Sequence, residues 1–138
     1  MKKIAIVNGI NLGELGTREV NVYGHLDFYS YLNLLKQRFP EVELLYFQSN
    51  KVDDLSDFML QHKECDGIIL NPGAFTHTSI VLADTVAAIP AKVIEVHISN
   101  IFGRENFRKN SFIASKCCGS ICGFGLSGYE LAIFYLTH

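Results

Sequence analysis

No stretch of this 138-residue chain approaches the ~20 apolar residues that a membrane-spanning helix needs. Met1-Lys2-Lys3 leads directly into a strand-like run that is too short for a signal peptide, so a cytoplasmic location is expected. There is no basic tract or basic helix and the formal net charge is -2, which argues against a nucleic-acid partner. Charged residues are only 19% of the chain, leaving less solvated surface than a monomer usually carries and hinting at self-association. Cysteine is sparse. Cys117, Cys118 and Cys122 have the spacing Cys-Cys-x3-Cys with no histidine nearby, and with Cys65 they read as small buried thiols in a reducing compartment. His77 and His97 lack metal-ligand spacing, so no metal is expected. Neither Gly-x-x-x-x-Gly-Lys-Ser/Thr nor Gly-x-Gly-x-x-Gly follows the first hydrophobic run, and no Gly-x-Ser-x-Gly elbow occurs. The Ser/Thr-rich grip of a flavin phosphate is missing as well.

What is present is a repeated pattern. Lys3-Ile4-Ala5-Ile6-Val7 runs into Asn8-Gly9, Leu44-Leu45-Tyr46-Phe47 into Gln48-Ser49-Asn50, Ile68-Ile69-Leu70 into Asn71-Pro72-Gly73, and Val93-Ile94-Glu95-Val96 into His97-Ile98-Ser99-Asn100. Each run has strand length and ends in uncharged hydrogen-bonding residues. In an open parallel sheet such ends line one edge, where ligands bind. Between the runs, helices are expected from an Asp27 cap to about Phe39, and from about Asp53 to Glu64 with Leu55, Phe58, Met59 and His62 on one face. Thr76, Thr78 and Ser79 offer caps for a third helix to about Ala88. Arg104 to Lys109 reads as a short helix, Gly119 to Gly123 as a fifth strand, and Gly128 to His138 as a closing helix. The strand–helix alternation predicts a single α/β domain over residues 1–138. Its sheet would be five-stranded, parallel and flavodoxin-like, in order 2-1-3-4-5, with helices on both faces. The long connection after the first strand carries Gly9, Gly13, Gly16 and Gly24 and has the character of a lid.

Several residues carry potential chemistry. Glu95 and His97 share one side of a strand, because alternate residues do. The pair reads as a general acid or base with its carboxylate, or as a buried histidine satisfied by hydrogen bonds. His77, at an expected helix start, is open between an oxygen-binding position and an ordinary cap. Asn71 stands in Asn-Pro-Gly, which is good turn chemistry without any ligand. Arg18 and Tyr23 share the long loop, and a guanidinium beside a phenol favours phenolate, an activated base. The alternative is a surface arginine and a packing tyrosine. Arg104 and Arg108 are four apart and suit carboxylate recognition or a solvated face.

These pieces, in this order, resemble the type II 3-dehydroquinate dehydratases of the shikimate pathway, essentially end to end. The anchors are Asn8-Gly9-Ile10-Asn11-Leu12, Leu15-Gly16-Thr17-Arg18-Glu19, Tyr23-Gly24 and Gln48-Ser49-Asn50. They continue through Asn71-Pro72-Gly73-Ala74-Phe75-Thr76-His77-Thr78-Ser79, Ile94-Glu95-Val96-His97-Ile98-Ser99-Asn100, Arg104, Phe107-Arg108, Gly123-Phe124-Gly125 and Gly128-Tyr129. The resemblance implies a flavodoxin-like fold and a cofactor-free trans-dehydration of 3-dehydroquinate to 3-dehydroshikimate through an enolate. It implies that Tyr23 is the base and that Arg18 lowers its pKa. Asn11 would hold a water at the enolate, and His97, oriented by Glu95, would be the acid. Asn71 and the N–H groups of Ile98 and Ser99 would hold the substrate carboxylate, and His77 and Arg108 the ring hydroxyls. Asp84 would come from a neighbouring subunit of a dodecamer, a tetramer of trimers. The lid would span about residues 16–24.

The chain departs from the family pattern at Ile10 and Val20, both usually proline, and at Lys51-Val52-Asp53 in place of His-Glu-Gly. It also departs at Ala83, commonly arginine, and at Phe102-Gly103 in place of His-Ala. None is an assigned catalytic position; losing two loop prolines raises the entropy of ordering the lid. A flavodoxin-like binding module without catalysis is the alternative. Arg18, Tyr23 and His97 together favour the enzyme, because a pure binder needs no paired base and acid.

Overall fold

The computed structural model describes residues 1–9, 27–103 and 110–138. Its sheet comprises β1 (Lys2–Asn8), β2 (Val42–Gln48), β3 (Gly67–Asn71), β4 (Lys92–His97) and β5 (Gly119–Cys122). All pairings are parallel, in the order β2-β1-β3-β4-β5. The helices are α1 (Phe28–Arg38), α2 (Val52–Gln61), α3 (Ile80–Ala88) and α4 (Ser127–Thr137). The expected five-stranded α/β sheet is therefore present, in the expected order.

Alternation along the strands splits the core in two. Ile4 and Ile6 of β1, Ile69 of β3 and Ile94 and Val96 of β4 pack against Leu32 and Leu35 of α1 and Tyr129 and Ile133 of α4. Ala5, Val7, Ile68, Leu70 and Val93 face the other way, onto Leu55 and Met59 of α2 and Leu82 and Val86 of α3. A central strand of a doubly wound sheet is covered on both sides, so its sequence is apolar throughout. β3 is the clearest case, with every residue buried.

Asp27 caps α1 as expected, accepting the Ser30 N–H at 2.8 Å. Of the three candidate caps for α3, Ser79 does the work, accepting the Leu82 N–H at 3.1 Å. Three expectations are corrected. The second helix stops at Gln61, not Glu64, because the His62 N–H is shared between the carbonyls of Phe58 and Met59 and the chain turns. His77 does not open a helix; it closes a tight 3-10 turn, Gly73–His77, two residues before the cap. The cysteines are free thiols but not deeply buried: Cys118 is exposed and the other three are half-buried. Three of the four lie on or next to β5, a short edge strand with little to cover it. The lid and the short helix expected over residues 104–109 lie outside the described residues.

Candidate active site

The pairing register brings the polar strand ends together. Asn8 stands opposite both Gln48 and Asn71, and Leu70 opposite Glu95. The rim needs one glycine to close. The Gly9 N–H donates to the Asn71 carbonyl at 2.7 Å. A Cβ on Gly9 would lie 2.4 Å from the Pro72 carbonyl oxygen, inside any tolerable contact. A second glycine, Gly123 (φ 90°), ends β5 and donates its N–H to the His97 carbonyl at 3.2 Å.

One flank of the rim, on the α1/α4 side, is an amide–phenol network. Tyr129, fully buried in α4, donates its hydroxyl to Asn8 Oδ1 at 2.8 Å and accepts from Asn71 Nδ2 at 2.9 Å. Asn8 Nδ2 donates to the Tyr46 hydroxyl at 3.3 Å, and Asn71 Oδ1 accepts the Gly73 N–H at 3.2 Å. Burial pushes the Tyr46 phenol up to about 12 and raises Tyr129 further, so both stay neutral. The bond to Tyr129 uses one of the two donors on the Asn71 amide. Gln48 has a structural job: its Nε2 donates to the Gly9 carbonyl at 3.2 Å and to Asn50 Oδ1 at 3.1 Å. Ser49 Oγ donates to Asp54 at 3.1 Å and accepts the Lys51 N–H at 3.0 Å, closing the turn into α2.

The other flank, on the α2/α3 side, holds the acid–base pair. Glu95 is 1% exposed and His97 5%. His97 Nε2 lies 3.4 Å from Glu95 Oε1 and has no hydrogen-bond partner among the described residues. At that separation the pair is an electrostatic contact rather than a full hydrogen bond. Ser111 Oγ donates to Glu95 Oε2 at 2.7 Å and Ser120 Oγ to Oε1 at 3.1 Å. Burial raises the Glu95 pKa, but the close contact with His97 and the two serine hydroxyls outweigh it and hold the carboxyl below its ordinary range.

His77 Nδ1 lies 2.6 Å from the Asn110 carbonyl, and a carbonyl only accepts, so Nδ1 carries the proton. The Phe112 N–H donates to the Thr76 carbonyl at 3.0 Å, so residues 110–112 strap this turn to β4. Ile98 is buried and Ser99 half-buried directly after His97, and the Ile98 carbonyl accepts the Gly125 N–H at 2.9 Å. Asp84 is exposed on the outer side of α3. Asn71, Glu95, His97, Ile98 and Ser99 thus share one edge of the sheet. Asn11, Arg18, Tyr23 and Arg108 lie outside the described residues. Ser111, Ser120 and Tyr129 carry no chemical role in the sequence reading, where Tyr129 stands only as part of the Gly128-Tyr129 anchor of the resemblance. Among the described residues, no group of three or more His, Cys, Asp or Glu is placed to hold a metal, and no helix is long and apolar enough to cross a membrane.

A doubly wound parallel sheet with a buried histidine–carboxylate pair and amides at its carboxyl edge defines a small-molecule α/β protein equipped for acid–base chemistry. Comparison with known proteins narrows the class. Residues 2–137 match the family described as dehydroquinase class II. A 3-dehydroquinate dehydratase of Bacillus cereus is 50% identical over 139 residues, covering 99% of this chain and 95% of the relative. One of Caldicellulosiruptor saccharolyticus is 44% identical over 142 residues, covering 99% and 97%. The crystal structure of the type II dehydroquinase of Butyrivibrio crossotus superposes with a TM-score of 0.95 at 39% identity, covering 99% of this chain and 98% of the other. The chain belongs to the class II dehydroquinase family.

Proposed function

We propose that the chain is a hydro-lyase of the shikimate pathway, a type II 3-dehydroquinate dehydratase that converts 3-dehydroquinate to 3-dehydroshikimate. The observation that carries this reading is the buried Glu95–His97 pair at the carboxyl edge of the sheet, in a chain belonging to this family. Trans-dehydration removes a proton from C2 and a hydroxide from C1 and transfers no electrons to a carrier, so a side-chain base and acid suffice. Tyr23, its pKa lowered by Arg18, takes the C2 proton, and the enolate is stabilised by a water held at Asn11. His97, held by Glu95, gives its proton to the departing C1 hydroxyl, and the enone forms. Asn71 and the N–H groups of Ile98 and Ser99 hold the substrate carboxylate, and His77 and Arg108 the ring hydroxyls. Residues 1–138 act as one domain with a lid at about 16–24 that delivers Tyr23. The exposed position of Asp84 on α3 suits a side chain that serves a neighbouring subunit, in keeping with a dodecamer of four trimers in the cytoplasm.

The experiment follows the conjugated enone by its ultraviolet absorbance, with purified protein, 3-dehydroquinate and no added cofactor. Absorbance should grow, and Tyr23→Phe should slow it by roughly two to four orders of magnitude, as loss of a general base does. Arg108→Ala should raise KM strongly. Substrate binding with flat absorbance would replace the enzyme with a binding module.

A further inference from the structure

We infer that Ser111 and Ser120 are positioning residues of the Glu95–His97 pair, two hydroxyls that clamp the carboxylate so that it faces the imidazole. This rests on the acid role proposed for His97.

The polarity of the Ser111 contact is fixed by its surroundings. Ser111 Oγ accepts the N–H groups of Ile113 at 3.1 Å and Ala114 at 3.0 Å. Both lone pairs are then in use, and its single proton goes to Glu95 Oε2 at 2.7 Å. The contact therefore favours an unprotonated Oε2. Ser120 reaches Glu95 from the other side, because β5 pairs with β4 so that Ser120 stands opposite Glu95. Its hydroxyl donates to Oε1, the same oxygen that lies 3.4 Å from His97 Nε2. One oxygen is thus pinned by the loop and the other by the edge strand, and the carboxylate cannot turn away from His97 without breaking both bonds. The strap that carries Ser111 also carries Asn110, whose carbonyl holds His77, so one short segment sets two site residues.

Among the described residues, the other titratable groups acting with Glu95 are His97 on the same strand, Cys117 before β5 and Cys122 on β5. Burial pushes the Cys117 thiol up to about 12 and raises Cys122 too, so neither thiol is charged at neutral pH. His97 is then the one basic side chain acting with Glu95 among the described residues.

The test is a double-mutant cycle with a second readout that does not need turnover. Ser111→Ala should lower kcat by about 10- to 100-fold, the effect of losing one hydrogen bond to a charged group, with KM changed by less than about twofold. Ser120→Ala should lower it less, and Ser120→Thr, which keeps the hydroxyl, should restore it. In a Glu95→Gln background neither alanine should cost anything further. An equal loss in both backgrounds would mean that the serines act only through folding and would overturn the proposal. In parallel, the carboxyl carbon of Glu95 is titrated by NMR. Its midpoint should rise in Ser111→Ala/Ser120→Ala, because hydrogen bonds to a carboxylate favour its charged form. An unmoved midpoint would also overturn the clamp. If the midpoint moves while even the unmodified protein fails to dehydrate 3-dehydroquinate, the clamp stands and the functional reading falls.

Discussion

The two flanks of the rim differ in how completely they satisfy their polar groups. On the α1/α4 side, Asn8, Asn71, Tyr129 and Tyr46 form an unbroken chain of hydrogen bonds, and none of their buried polar atoms lacks a partner. On the α2/α3 side, His97 Nε2 is buried and has no hydrogen bond among the described residues, although a carboxylate lies 3.4 Å away. A satisfied network in a low-dielectric interior is rigid and specifies one arrangement. That suits a surface that must hold a ligand in a fixed pose. A buried polar atom without a partner is costly, and its retention points to a job beyond folding. That suits a group that must change protonation during a reaction. The contrast fits the proposed division of work, in which the amide flank holds the substrate and the histidine flank reacts.

Substitutions can break this division or sharpen it. The largest effect is expected for His97→Ala, with turnover lower by roughly two to four orders of magnitude in the enone assay, as for loss of a general acid. Turnover near normal would remove the reactive role from this flank. Tyr129→Phe tests the holding flank. It leaves Asn8 Oδ1 and Asn71 Nδ2 without their shared partner in a fully buried setting, which should cost about 1–3 kcal/mol in chemical denaturation. Because the loosened residue is Asn71, KM should rise more than kcat falls. A kcat loss with unchanged KM would place Tyr129 on the wrong side of the comparison. Gly9→Ala forces a Cβ against the Pro72 carbonyl where β1 meets the rim and should destabilise by about 1–3 kcal/mol, as overpacking does.

The smallest effect is a pH dependence. The folded pKa of Glu95 is depressed below its ordinary value of 4.5. Its contribution to stability is therefore present above that value and lost as pH falls through the folded pKa. The stability gap between the unmodified protein and Glu95→Gln should be constant from neutral pH down to about 5 and then shrink. A gap that widens on acidification would contradict the depressed pKa.

Much of this architecture was legible in the sequence, for identifiable reasons. The limits of β3 could be read because a fully apolar run stops at Asn71-Pro72-Gly73, and proline cannot continue a central strand. The Glu95–His97 pair could be read because strand alternation is a local rule. Ser111 and Ser120 could not, because they reach Glu95 across 16 and 25 residues through a strap and a strand register that no local pattern encodes. Tyr129 stood in the Gly128-Tyr129 anchor, but its role was hidden for the same reason: its ring packs in the core on α4, and only its hydroxyl, bonded across 121 residues to Asn8, reaches the rim. Three of the cysteines were misjudged because residue type predicts burial poorly at a sheet edge, where Cys117 and Cys118 lead into β5 and Cys122 ends it.

The division of labour is tested most directly by calorimetric binding of 3-dehydroquinate to His97→Ala and Asn71→Ala. His97→Ala should retain binding, with Kd within about threefold of the KM of the unmodified protein, while Asn71→Ala should bind at least about tenfold more weakly, the loss of one hydrogen bond to a charged carboxylate. Loss of binding in His97→Ala as large as that in Asn71→Ala would contradict the account, because the two flanks would then be doing the same work.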